Sequence, residues 1–382
     1  MDKVKTISVR KNSKDPKSRA SATVKPATLA DVAQMAGVVA MTASRAINQS
    51  GYVSKDVQER VRKAALKLNY RPNMVARQLK GSRLNAIGVL LPDIANPFST
   101  ELVNGVKQVF DVVGYTTFIA TSSRSVEQEK ASLQAFADHR VDGLIVAPRG
   151  TKMRDEVLKD ILRQGIPVAT IGRPVKLAAV DCVTADHWQG AFDVVTHLIS
   201  LGHKRIGFIG ISPEDKLSLR RYQGYAAALE QAGIQVQDQY IVGPPDAPAF
   251  ATQEDGFTGM TWLAELSHPP TAVFARNDFA AIGAIRAAHK LGMRVPEDVA
   301  IAGFDNIPLA AFTTPPLTTV EQPITEQGAA AATLLLNRIV GEFRGTAKNI
   351  CMNCSLIVRE STDPRAVTSA EASSSPSMMR TR

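Results

Sequence analysis

No stretch of this chain approaches the run of about 20 apolar residues that a membrane-spanning helix needs, and no apolar h-region follows its N-terminus. A protein that is neither membrane-spanning nor exported is expected, at work in the cytoplasm. Cysteine is scarce. Cys182, Cys351 and Cys354 are too few, and odd in number, for a disulfide framework, which agrees with a reducing compartment. Cys351 and Cys354 have C-x-x-C spacing, but the surrounding Ile350 to Val358 reads as a strand, on which residues three apart face opposite ways. With no second Cys or His pair to complete a tetrahedral site, no metal is expected. The chain also lacks a G-x-x-x-x-G-K-[ST] phosphate loop, a G-x-S-x-G elbow and an H-E-x-x-H zinc motif. No catalytic residue, no cofactor and no enzyme are therefore expected.

What is present is unevenly placed. The 382 residues carry a net charge of +9, but residues 1–83 hold 18 Lys and Arg against 5 Asp and Glu, leaving 27 against 31 for the rest. So concentrated a positive field attracts a polyanion, and without an amphipathic membrane helix beside it nucleic acid is the favoured partner. Residues 1–26 mix Lys, Arg, Ser and Pro with few large apolar side chains and read as a disordered basic arm.

From Thr28 the pattern turns to short helices. Thr28 and Asp31 have capping-box spacing, and Leu29, Val32, Ala33 and Ala36 line one helical face up to Gly37. A second helix spans about Ala40 to Ile47 with Thr42, Ser44, Arg45 and Asn48 on a polar outer surface, and a third runs from Ser54 to about Asn69. A short second helix with small, outward polar residues suits the major groove, where Arg45 can reach a guanine edge or a phosphate.

These residues carry a resemblance. The runs Thr28-Leu-Ala-Asp-Val-Ala-Gln-Met-Ala-Gly37-Val38, Thr42-Ala-Ser-Arg45-Ala-Ile-Asn48, Val53-Ser54 and Leu68-Asn-Tyr70-Arg-Pro72-Asn73 resemble the DNA-binding headpiece of the LacI/GalR repressor family, and the likeness continues to about Ser361. It implies DNA contacts by Thr28, Ala40, Met41, Thr42, Ser44, Arg45 and Asn48. It also implies a hinge helix and linker over 73–83, the helix to Lys80 ordering on operator DNA, with Asn73, Ala76 and Leu79 at the DNA and Leu79 as a minor-groove wedge. Val39 stands where the family usually has a capping Ser, and Ala43 where it usually has Val. A lost cap costs about 1 kcal/mol and a smaller packed side chain adds to it, so a looser headpiece is expected.

Beyond Asn85 the sequence alternates apolar runs with amphipathic helices: Ala86 to Leu91, Thr117 to Ala120, Gly143 to Val146 and Val168 to Ile171, then Ile206 to Ile209, Thr271 to Phe274 and Val299 to Ala302. Such βα repetition predicts an α/β fold of two Rossmann-like subdomains with a cleft between them. The resemblance implies a core of periplasmic-binding-protein type on the signatures His197 to Ile206, Arg221-Tyr-Gln-Gly224-Tyr225, Asn277-Asp278, Leu291 to Val299, Gly303-Phe-Asp305 and Pro316 to Pro323. It further implies that Arg221, Asn277 and Asp305 hydrogen-bond an effector and that Phe98 supplies an apolar wall, a set suited to a sugar or another hydroxyl-rich metabolite. Arg173, His187 and Phe250 fall near the expected cleft edges.

The expected domains are thus an arm over 1–26, a helix-turn-helix headpiece over 27–72, a hinge over 73–83, an effector-binding and dimerisation core over 84–362, and a disordered tail over 363–382. Crossings between subdomains are expected near 180–186, 305–316 and 317–323. The function implied is a homodimeric transcriptional regulator, commonly a repressor, bound to a pseudo-palindromic double-stranded operator and modulated by a small molecule. Induction and corepression remain open. A pure solute-binding protein would lack the basic headpiece, and a sugar-processing enzyme would need a catalytic constellation.

Overall fold

The computed structural model describes residues 27–48, 50–71, 84–122, 125–147, 154–172, 175, 177–212, 215–243 and 252–365. The arm over 1–26, the hinge with Asn73, Ala76 and Leu79, most of the tail, and Arg173 and Phe250 lie outside the described residues. The chain divides into two compact units, up to Ser82 and from Arg83 onward.

The first unit is three helices, α1 (Leu29–Ala36), α2 (Ala40–Asn48) and α3 (Lys55–Lys67). Local chemistry sets α1. The Thr28 hydroxyl accepts from the Asp31 N–H at 3.3 Å, the Asp31 carboxylate accepts from the Thr28 N–H at 2.7 Å, and Gly37 closes the helix at φ 65°. Val32, Ala33 and Ala36 meet Ala43 of α2 and Val61 and Ala64 of α3 in one small core. Arg60 of α3 donates to the Ala36 carbonyl at 3.2 Å and so fastens the end of α1.

The second unit holds two six-stranded sheets. In the first, β1 (Ala86–Leu91), β2 (Thr116–Thr121), β3 (Gly143–Val146), β4 (Val168–Ile171), β5 (Asp181–Ala185) and β11 (Asn349–Met352) take the order β11-β5-β4-β3-β1-β2, parallel throughout. In the second, β6 (Ile206–Ile209), β7 (Ile241–Val242), β8 (Ala272–Ala275), β9 (Ala300–Asp305), β10 (Thr318–Glu321) and β12 (Ser355–Ile357) take the order β12-β10-β9-β8-β6-β7, with only β12 antiparallel. Five strands of each sheet thus repeat one doubly wound order, with a switch point between β1 and β3 in one and between β6 and β8 in the other. The first, third and fourth strands of each set are buried along their length, as strands covered on both faces must be.

Helices α4 (Pro97–Phe110), α5 (Val126–Asp138) and α6 (Arg154–Arg163) follow strands of the first sheet. Helices α7 (His187–Ser200), α8 (Lys216–Gln231), α9 (Gln253–Ala264) and α10 (Asp278–Lys290) serve the second, and α11 (Ile324–Val340) returns to the first. The crossing of α4 and α11 requires glycine: a Cβ on Gly105 would stand 2.0 Å from the Thr325 carbonyl oxygen, and one on Gly328 2.3 Å from that of Leu102.

Three connections pass between the sheets: β5 to α7 at 185–187, β10 to α11 at 321–324, and β11 to β12 at 352–355. The expected crossing near 305–316 is corrected, because β9 and β10 on either side of it are hydrogen-bonded neighbours in one sheet. The single strand expected over Ile350 to Val358 is likewise two strands, one in each sheet. Asn353 and Cys354 form the step between them, so a run that looks continuous in sequence is the third crossing.

Candidate functional site: a cleft between the subdomains and an exposed helix face

Parallel strands deliver their C-terminal ends, and the N-termini of the helices that follow, to one edge of each sheet. Here those edges meet in one cleft. Pro92 and Phe98 follow β1, Ala147 follows β3, Ile171 and Gly172 end β4, and His187 follows β5. Asp215, Leu217 and Arg221 follow β6, Arg276 and Asn277 follow β8, Asp305 ends β9, and Gln322 and Gln327 follow β10. All four residues singled out as effector contacts, Phe98, Arg221, Asn277 and Asp305, line this space, although they lie up to 207 residues apart.

Arg221 is the hub. Its Nη2 stands 3.1 Å from Asp305 Oδ1, its Nε donates to His187 Nδ1 at 3.4 Å, and its Nη1 donates to the Arg276 carbonyl. The guanidinium carbon lies 3.8 Å from the centre of the Phe304 ring, on whose other neighbour, His187, the ring is stacked with centroids 5.7 Å apart. A buried Arg is tolerable only when its donors and its charge are matched in this way. Asp305 Oδ1 also accepts from Gln322 Nε2 at 2.6 Å. Asp305 sits at φ 118°, a conformation that side chains rarely adopt and that aims its carboxylate into the cleft mouth it shares with Gln322.

A second ion pair completes the floor. Asp215 caps α8 through Oδ1, which accepts from the Leu217 N–H at 3.0 Å, while its Oδ2 accepts from Arg276 Nη2 at 2.5 Å. Asn277 caps α10, its Oδ1 accepting from the Ala280 N–H at 2.9 Å. Beneath the cleft, Asp278 is fully buried: Oδ2 accepts from the Ile307 N–H at 2.8 Å and Oδ1 from the Thr319 hydroxyl at 2.5 Å. Burial, seconded by the Asp305 carboxylate, pushes the Asp278 carboxyl up to about 7.

Arg276, Asp215, Gln322 and Gln327 were not singled out from the sequence. Gln322 stood inside a quoted motif, the Pro316 to Pro323 run, and Arg276 directly beside one, the Asn277-Asp278 pair. Asp215 and Gln327 stood in none. His187, placed only near a cleft edge by sequence, is a cleft residue. Among the described residues no group of His, Cys, Asp and Glu could hold a metal ion.

In the first unit, α2 turns Ala43 into the core and presents Met41, Arg45 and Asn48 outward at i, i+4 and i+7, with Ala40 exposed beside them. Thr42 and Ser44 are half-buried, and Asn48 Nδ2 lies 3.3 Å from Ser44 Oγ. The Thr28 hydroxyl is committed to the α1 cap, donating to Asp31 Oδ2 at 2.8 Å.

A helix-turn-helix unit ahead of a two-subdomain binding cleft defines a ligand-responsive transcriptional regulator. Comparison with known proteins places this one. The sequence model of bacterial regulatory proteins, lacI family, matches residues 28–73, and that of the periplasmic binding protein-like domain matches residues 195–362. The HTH-type transcriptional repressor CytR of Escherichia coli is 37% identical over 336 residues, 88% of this chain and 96% of that one. Among solved structures, the lac repressor dimer bound to operator and the anti-inducer ONPF superposes with a TM-score of 0.76 at 28% identity, covering 88% of this chain and 99% of that one. The transcriptional regulator CelR in complex with cellobiose has a TM-score of 0.65 at 31% identity over the same shares. The chain belongs to the lacI family of bacterial regulatory proteins.

Proposed function

We propose that this protein is a homodimeric repressor that binds a pseudo-palindromic operator through residues 27–72 and a hinge over 73–83, and that a neutral, hydroxyl-rich metabolite in the cleft of the core, 84–362, modulates that binding. The observation that carries the effector half is the convergence of Phe98, Arg221, Asn277 and Asp305 on one cleft at the C-terminal edges of both sheets. Its charge supports the ligand class. The two guanidiniums, Arg221 and Arg276, are each paired with a carboxylate, so no net positive charge awaits an anion, while the carboxylate of Asp305 is an acceptor suited to hydroxyl groups. Phe98 supplies an apolar face for a ring. CytR is named a repressor, and the lac repressor and CelR structures hold operator with an anti-inducer and cellobiose respectively, which supports the same roles here.

Exposed apolar side chains support the homodimer. Val112 and Val113 after α4, and Phe118 and Ile119 on the edge strand β2, lie together in sequence at one border of the first sheet, and Leu309 and Phe312 project from the second subdomain. An unpaired strand edge with apolar side chains calls for a cover, and a second copy of the chain supplies it. On the DNA, Ala40, Met41, Thr42, Ser44, Arg45 and Asn48 of α2 enter the major groove, Thr28 lies at the backbone, and Asn73, Ala76 and Leu79 act from the hinge.

Enrichment of random duplexes on the full-length protein tests the DNA half. Two related half-sites in inverted orientation are the expected product. Recovery of unrelated sequences, with affinity governed by salt alone, would overturn it. Thermal-shift screening of the core against neutral sugars and nucleosides, with their phosphates in parallel, tests the ligand half. A compound at about a hundred times its dissociation constant should stabilise by about 2.7 kcal/mol.

A further inference from the structure

Val39 and Met41 are among the most exposed apolar side chains of the first unit, at 69% and 65%, and they flank Ala40, also exposed, at the start of α2. The Val39 carbonyl accepts from the Thr42 and Ala43 N–H groups at 2.9 and 3.1 Å, which makes Val39 the residue on which the helix begins. None of these three side chains carries a strong hydrogen-bond donor or acceptor. Thr42 and Ser44 are half-buried, and the first fully exposed donor on the helix is Arg45, a full turn after Met41. Leaving two large apolar side chains in water at this point gains nothing for the fold, whose core takes Ala43 from this helix instead.

The occupant of this face follows from the charge around it. The 18 Lys and Arg of residues 1–83 draw duplex DNA, and α2 is the helix read above as entering its major groove. In that groove every base edge offers hydrogen-bonding groups, and a single feature is apolar: the C5 methyl group of thymine. Val39, Ala40 and Met41, without donors or acceptors, cannot select guanine, adenine or cytosine by hydrogen bonds. We propose that Val39 and Met41 recognise thymine methyl groups in each half-site, beside the hydrogen-bonded reading supplied by the polar residues of α2, Arg45 first among them. This proposal rests on α2 being the DNA-reading helix and adds Val39, a position not among the contacts expected from sequence, as a determinant of specificity.

Replacing thymine by deoxyuridine removes the methyl group and leaves base pairing intact. With an operator enriched on the full-length protein, each thymine of a half-site is replaced in turn and the dissociation constant measured at fixed salt. Loss of roughly three- to tenfold is expected at one or two thymines, as burial of a single methyl group dictates. Val39→Ser and Met41→Gln should each abolish the thymine-to-uridine difference at one of these positions, while Arg45→Ala leaves both differences in place. Because both side chains are exposed, Met41→Gln should keep the wild-type melting temperature, and Val39→Ser, which supplies a helix cap, should keep or raise it. Equal affinity for every uridine-substituted operator, or methyl dependence that survives in both variants, overturns the proposal while leaving the DNA-binding reading intact. Failure to enrich any sequence would instead overturn that reading, and the proposal with it.

Discussion

Arg45 and Asp278 show how differently single residues can matter. Arg45 is exposed, outside the core and without a partner role in the fold, so Arg45→Ala should leave the melting temperature unchanged and cost about 1 to 3 kcal/mol of discrimination between operator and mutated operator. Titrations with both duplexes check this. Asp278 does the opposite. Its carboxyl titrates near 3.8 when the chain is unfolded and at about 7 in the folded protein, because burial disfavours the charge. The native state therefore holds the extra proton between those limits, and the stability this contributes is present below the lower one and lost as pH rises through the upper. Asp278→Asn keeps both hydrogen bonds, with Oδ1 accepting from Ile307 and Nδ2 donating to Thr319. The variant should flatten the decline of melting temperature between about pH 5 and pH 8 and raise it by about 2 to 4 °C at the upper end. An unchanged slope would place the titrating group elsewhere.

At the scale of elements, what could be read from sequence was what neighbouring residues decide among themselves. Thr28 and Asp31 cap α1 because both partners lie within one turn, and Thr28→Ala should lower stability by about 1 kcal/mol, measurable by urea unfolding of the headpiece transition. The buried strands β1, β3, β4 and β6 coincide with their apolar runs, since a strand covered on both faces needs no polar alternation. Strand β5, the short β7, β10 and the long helix α11 went unassigned. Asp181 and Thr318 place polar groups on buried strands, and their partners, Arg338 for Asp181 and Ser361 and Thr362 for Thr318, lie 157, 43 and 44 residues away. Pairing over such distances leaves no local mark. The same reason hid the change of sheet between Met352 and Ser355, because periodicity reports a strand and not which sheet it joins. The cleft was half legible: Arg221 and Asp305 stood in motifs, whereas the answering partners Arg276 with Asp215 and Gln322 with Asp305 exist only after the strands of the second sheet are assembled.

At the scale of the whole molecule, the cleft is where a ligand can do work on the core. The side chains leave about 40 Å³ of free space between the subdomains, room for a few water molecules, so a sugar-sized compound enters by moving the three connections at 185–187, 321–324 and 352–355 or by displacing the Arg221–Asp305 pair. A ligand alters DNA affinity only to the extent that it favours one arrangement of the subdomains over another, typically by 1 to 3 kcal/mol. The most direct test is the affinity of the full-length protein for its enriched operator, measured with and without each of a panel of ribose, cellobiose, free nucleosides and purine bases, in the wild type and in Asp305→Ala. The account predicts that at least one of these compounds changes wild-type affinity by roughly 5- to 150-fold and that Asp305→Ala keeps its ligand-free affinity but loses the response. A full response in the Asp305 variant, or none to any compound in the wild type, would contradict it.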